Sequence, residues 1–144
     1  MSANAAAGSL QYGSGSNATV SLIGRVLIAL IFAYFGYMKA MNFQGTIGYF
    51  AKWGFPMPSI AASLAVLFEL GGGVLLIIGW KTRWVAWALV LYCAIATLVA
   101  HRFWSYPPEQ AFNQTSHFFK NISLIGGLIY LATFGPGAMS VDKR

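Results

Sequence analysis

Acidic residues are nearly absent from this chain. Its 144 residues include three Asp+Glu (Glu69, Glu109 and Asp142) against nine Lys+Arg, and charged residues make up 8% of the total. A soluble domain carries about a quarter charged residues, so this composition excludes an ordinary water-facing globule. Lipid, by contrast, would solvate a chain that is 58% hydrophobic with a mean hydropathy of +0.64. Cysteine is scarce too. The single Cys93 excludes an internal disulfide, a CxxC redox pair and a cysteine-based metal cluster, and no metal site is expected. In the middle of an apolar run, Cys93 is read as a small packing residue. The first 17 residues contain no Lys or Arg, which excludes the positive region of a cleaved secretory signal and leaves an uncleaved, disordered tail.

The excess of base, a net charge of +6, would in a soluble protein point to nucleic acid. Here the cations punctuate the ends of apolar runs, as membrane topology demands. No basic patch with interleaved aromatics stands apart, so the expected partner is the bilayer and not a nucleic acid.

Four apolar runs stand out, at residues 20–38, 59–80, 84–100 and 118–134. Each approaches the ~17–25 residues a spanning helix needs, and none alternates as a barrel strand would. The expected fold is an all-α integral membrane bundle of four transmembrane helices. Residues 39–58 hold Phe43, Tyr49, Phe50, Trp53 and Phe55 beside Lys52, which predicts a short interfacial helix between helices one and two. The organisation is a tail at 1–19, a membrane domain at 20–137 and a short charged tail at 138–144. Residues 79–83 leave room only for a tight antiparallel hairpin. Basic residues are slightly more frequent on the side of the termini, which favours a cytoplasmic location for both.

Glu69 is the residue that most needs explaining. A carboxylate at mid-bilayer costs ~2.5–3.5 kcal/mol on insertion scales, so intramembrane acids face a partner or a wet cavity. It is followed by Leu70-Gly71-Gly72-Gly73, a bare surface read as a packing face. On helix one, Arg25 and Lys39 are separated by close to a whole number of turns and bracket one stripe. The economical arrangement pairs Glu69 with Arg25 or a neighbouring donor. Lys39, His101, His117, Lys120 and Asn121 gather at the opposite end of helix one. For Arg25, Lys39 and Lys120 the alternative is snorkelling to headgroups. For the two histidines it is a plain interfacial role. For Glu69 the choice lies between a structural ion pair and a functional acid.

At these residues the chain resembles the DoxX family of small bacterial membrane proteins. The resemblance is carried by Gly24-Arg25-Val26-Leu27, Gly36-Tyr37-Met38-Lys39, Glu69-Leu70-Gly71-Gly72-Gly73, His101-Arg102-Phe103-Trp104, Lys120-Asn121, and Phe134-Gly135-Pro136-Gly137 followed by Asp142. It implies a multi-pass protein of the bacterial inner membrane, acting as a subunit of a quinone-linked redox or oxidative/thiol-stress complex. Under that reading a quinone, or a redox partner subunit, supplies the electron chemistry that the chain's own side chains lack. Glu69, Arg25 and His101 are then the catalytic candidates, and Arg25, Lys39, His101, Lys120 and Asn121 the candidate ligands of a quinone or lipid. Two readings compete with it: a non-catalytic membrane scaffold, which would allow a homo-oligomer, and a small proton-coupled transporter.

Overall fold

A computed structural model describes residues 14–143. Among them there is no strand, and five helices follow in order: α1 Ser14–Met41, α2 Phe43–Lys52, α3 Pro58–Ile78, α4 Thr82–Ala100 and α5 Pro108–Phe134. A short 3₁₀ turn, Phe103–Ser105, links α4 to α5. A short helix, α2, stands in the segment where an interfacial one was expected, with the side chain of Asn42 capping the Gly45 amide at 3.2 Å. The first helix begins at Ser14, six residues before the membrane domain expected from residue 20. Adding turns to a helix already nucleated by a long apolar run is far cheaper than starting one. The rest of the predicted tail lies outside the described residues.

Three helices are long and apolar enough to cross a membrane: α1, α3 and α4. The fourth predicted span sits in α5, which is 27 residues long but does not meet that standard. The reason is its polar first half, where Gln110, Asn113, Gln114, His117, Lys120 and Asn121 dilute the apolar stretch that follows. Only 17–33% of the three apolar spans is buried against protein, so most of their surface is left for another apolar solvent. Leu27, Trp84 and Leu91 are among the exposed side chains.

The helices pair as α1 with α3 and α4 with α5, and α1 touches α5 only sparsely. Glycine sets the first pairing. A Cβ on Gly36 would overlap the Leu70 backbone, and one on Gly73 would sit 2.5 Å from the Ala33 amide nitrogen. The two helices thus cross backbone to backbone, as small residues permit. The glycine run is a packing face as expected, and Gly72 meets the side chain of Leu89 on α4. Ala29, Phe32, Leu76, Leu89, Leu128 and Leu131 fill the centre.

Residues of the short charged tail expected at 138–144 fold back as a strap against the turn between α3 and α4. Val141 and Asp142 donate their amides to the carbonyls of Ile78 and Gly79. In return the Asp142 carboxylate accepts from the amides of Lys81 and Thr82, both at 2.9 Å, and so caps the start of α4. Arg25, 2% exposed, holds the strap from below. It donates to the carbonyls of Pro136 at 2.5 Å, Met139 at 2.8 Å and Ile77 at 3.2 Å.

Substituting Gly36→Ala should force α1 and α3 apart and lower stability by about 1–3 kcal/mol, the usual cost of overpacking. Gly24→Ala, whose Cβ would meet open space, should leave stability unchanged or slightly raised. Thermal unfolding of the two variants in detergent checks the contrast. Equal behaviour would contradict the close crossing.

Candidate functional site

Glu69 lies in a π-turn, Leu67–Gly71, set within α3. Such wide turns are uncommon and recur at functional sites. The carboxylate is 8% exposed, and each of its oxygens has a donor. Lys39 Nζ donates to Oε2 at 2.5 Å, and Tyr92 Oη donates to Oε1 at 2.5 Å. Lys39 comes from the last turn of α1, where a cation is favoured by the helix dipole. Tyr92 comes from the middle of α4, its ring stacked on Phe68 with centroids 5.7 Å apart. The acid is therefore neutralised and doubly hydrogen-bonded, as a charge withdrawn from water must be.

Of the two arrangements expected for Glu69, Arg25 or a neighbouring donor, the geometry rules out Arg25 and supplies Lys39 and Tyr92. Glu69 and Arg25 stand toward different ends of the antiparallel α1–α3 pair, and Arg25 spends its donors on the carbonyls of Pro136, Met139 and Ile77. Arg25 takes no part in the site.

The other candidates do converge. A cavity of about 210 Å³ opens over Glu69 at the end of the bundle away from the C-terminal strap. Its apolar wall is Ile31, Phe32 and Phe35 from α1 with Leu124 from α5, and its polar lining includes Lys39, His101, His117, Lys120 and Asn121. All four helices of the bundle contribute. His101 and His117 stack with centroids 5.0 Å apart, and His101 Nδ1 lies 2.8 Å from Gln114 Oε1. Lys120 Nζ is 3.1 Å from His117 Nδ1. An ammonium has only donors, so His117 accepts there and carries its proton on Nε2. Asn121 Nδ2 donates to Thr97 Oγ1 at 3.0 Å, and Thr97 Oγ1 in turn donates to the Cys93 carbonyl at 2.6 Å.

Tyr92 and Gln114 escaped the sequence reading. For Tyr92 a signal existed, because a hydroxyl in an apolar span requires a partner. Cys93 is buried and lines the cavity as a small packing residue. Among the described residues no group of three or more His, Cys, Asp or Glu is placed to hold a metal.

What the arrangement can do follows from its polarity. The floor is a carboxylate already supplied with donors, while the mouth offers donors without a carboxylate: the remaining protons of Lys120 and the Nε2 proton of His117. Between them lie ring-sized apolar walls. Lys39→Met would leave Glu69 uncompensated and should cost roughly 3 kcal/mol, at the low end for a broken buried pair because Lys39 is 27% exposed. Tyr92→Phe should cost about 1.5 kcal/mol. The double variant Lys39→Met/Glu69→Leu should recover part of the loss, since both charges leave together. Denaturant unfolding of these variants measures it, and a neutral Lys39→Met would contradict the pairing.

Comparison with known proteins agrees with the residues that carried the resemblance. The DoxX family profile matches residues 20–102. Inner membrane protein YphA of Escherichia coli (strain K12) is 37% identical over 123 residues, covering 85% of this chain and 88% of that protein. Inner membrane protein YqjF of the same organism is 32% identical, again covering 85% and 88%. A Surfeit locus protein 4 homolog of Schizosaccharomyces pombe (strain 972 / ATCC 24843) is 31% identical, but this chain spans only 36% of it. No solved structure matches. With more than half its length matched, and most of it shared with bacterial inner membrane proteins, this membrane protein belongs to the DoxX family.

Proposed function

We propose that this chain is an inner-membrane subunit of a quinone-linked redox or stress-response complex, and that the cavity above Glu69 holds the quinone head. In this reading α5 is the fourth span and both termini are cytoplasmic. The observation that carries it is the cavity itself: apolar walls of ring size, ammonium and imidazole donors at the mouth, and a carboxylate–lysine–tyrosine cluster at the floor.

The residues fit such a group. Phe32, Phe35 and Leu124 would flank the ring, and Lys120 and His117 would donate to a carbonyl oxygen. Glu69 and Tyr92 already share one hydrogen bond, which fixes the carboxylate at the cavity floor. Lys39 holds Glu69 in place. A bound quinone would supply two-electron, two-proton chemistry, with a partner subunit as the electron source.

The transporter reading loses ground on the same geometry. A carboxylate held by a lysine of its own chain has no free charge to offer a cationic substrate. A non-catalytic binding module is the second reading. The similarity to a Surfeit locus relative of nearly three times the matched length favours it, because the helix set then also occurs inside a larger protein.

Decylubiquinone titrated into the purified protein in nanodiscs tests the proposal. Wild type should bind saturably, and Lys120→Gln should bind at least tenfold more weakly, as expected for loss of a charged hydrogen bond. Because Lys120 is exposed, that variant should fold normally. Glu69→Gln should abolish quinone-dependent turnover by the native complex. Absent binding, or identical binding by Lys120→Gln, would overturn the site. Binding with turnover untouched by Glu69→Gln would favour the non-catalytic module.

A further inference from the structure

At the other end of the molecule, the structure assigns a second site, for the phosphodiester headgroup of an anionic phospholipid. The turn between α3 and α4 and the C-terminal strap together enclose a depression of about 300 Å³, lined by Lys81, Arg83, Trp84, Pro136 and Asp142. It lies at the opposite end from the Glu69 cavity and shares no residue with it.

Three observations point to a ligand here. The first is backbone strain. Lys81 has φ 46°, a left-handed conformation that glycine adopts freely and a residue with a Cβ does not. Gly79, two residues earlier, has the same conformation and shows which residue type the turn itself would prefer. Lys143 on the strap has φ 49° as well, so strained cations recur at this end of the chain. The second is the bracing of this turn. Asp142 accepts from the amides of Lys81 and Thr82, while Arg25 pins the strap behind it. The carboxylate of Asp142 thus faces the turn's own backbone, and the two side-chain cations of the depression stay exposed.

The third observation is the setting. Trp80 and Trp84 are 42% and 78% exposed, at the ends of two apolar spans, where indole rings mark the headgroup level. Lys81 Nζ sits 5.0 Å from the centre of the Trp80 ring, close to a surface that faces lipid. An ammonium and a guanidinium flanking one cleft at that depth match a phosphate monoanion. The acyl chains would continue along the exposed apolar faces of α3 and α4. This end also carries Lys143, adjacent to Asp142 on the strap, which adds to the local positive field.

Native mass spectrometry of the full chain tests the assignment, after equilibration with mixed vesicles of phosphatidylglycerol and phosphatidylethanolamine. Wild type should retain phosphatidylglycerol at least tenfold over phosphatidylethanolamine. Lys81→Gln/Arg83→Gln should reduce that preference to threefold or less. Lys52→Gln/Arg102→Gln, which removes two exposed cations outside the depression, should keep it. Inorganic phosphate at millimolar concentration should fail to displace the lipid. The assignment is overturned if wild type shows no preference, if the preference survives the Lys81/Arg83 variant, or if both double variants lose it equally. Displacement by inorganic phosphate would likewise overturn it, because the site would then take a soluble anion.

Discussion

One carboxylate and its two donors govern the architecture of this protein. A charge withdrawn from water is tolerated only when its oxygens are supplied, and Glu69 draws its donors from two different helices. Lys39 arrives on α1 and Tyr92 on α4, so satisfying one side chain on α3 fixes the neighbours on both sides. The lysine reaches the acid because α1 and α3 cross with Gly36 against Leu70 and Gly73 against Ala33. A larger residue at either glycine would widen the gap, lengthen the ion pair and undo the electrostatic reason for the acid to be there. Packing and charge compensation are therefore the same requirement seen at two positions.

The cavity follows from the same arrangement. Because α1 is drawn tightly onto α3, and α4 packs closely with α5, the seam between α1 and α5 is left thinly packed. The aromatic and aliphatic side chains of that seam wall the cavity, and the polar first half of α5 lines its mouth. Those polar residues also keep α5 below the apolarity of the other long helices. The feature that weakens α5 as a membrane span is thus what equips the site with Lys120, Asn121 and the two stacked rings to which His117 contributes.

Much of this was legible from residue types and spacing. The apolar runs at 20–38, 59–80 and 84–100 correspond to helices α1, α3 and α4, and the aromatic segment after residue 39 to α2. The need for Glu69 to have a partner was equally plain, and topology put Lys39, His101, His117, Lys120 and Asn121 at one end, though it did not say whether their side chains meet. The identity of the partner was not legible. Arg25 and Lys39 lie on one stripe of α1, and periodicity alone cannot choose between two cations on the same face. The choice depends on the axial register of α1 against α3, which is set by glycine contacts between separate segments. Tyr92 was within reach. It and Glu69 stand at equal distances from the tight Gly79–Thr82 turn, and an antiparallel hairpin brings such positions together. The strap was beyond sequence reasoning, because its bonds run from backbone groups of the last residues to helix ends distant in the chain.

Arg25 shows how the two ends of the bundle differ in kind. Each end holds a cation, Arg25 buried and Lys39 partly so, yet the groups that satisfy the two are different. Lys39 meets a carboxylate beside an open cavity, where the pair can respond to whatever enters. Arg25 meets carbonyl oxygens, which hold no proton to exchange, and its fork-shaped donor set suits several fixed acceptors at once. A guanidinium surrounded by main chain is a clasp. An ammonium facing an acid and a tyrosine hydroxyl has proton chemistry available. The division places the chemically responsive groups at the cavity end and the rigid ones under the strap. The closure that holds α1, α3 and α4 together therefore lies at the far end from the Lys39–Glu69 pair and shares no side chain with it.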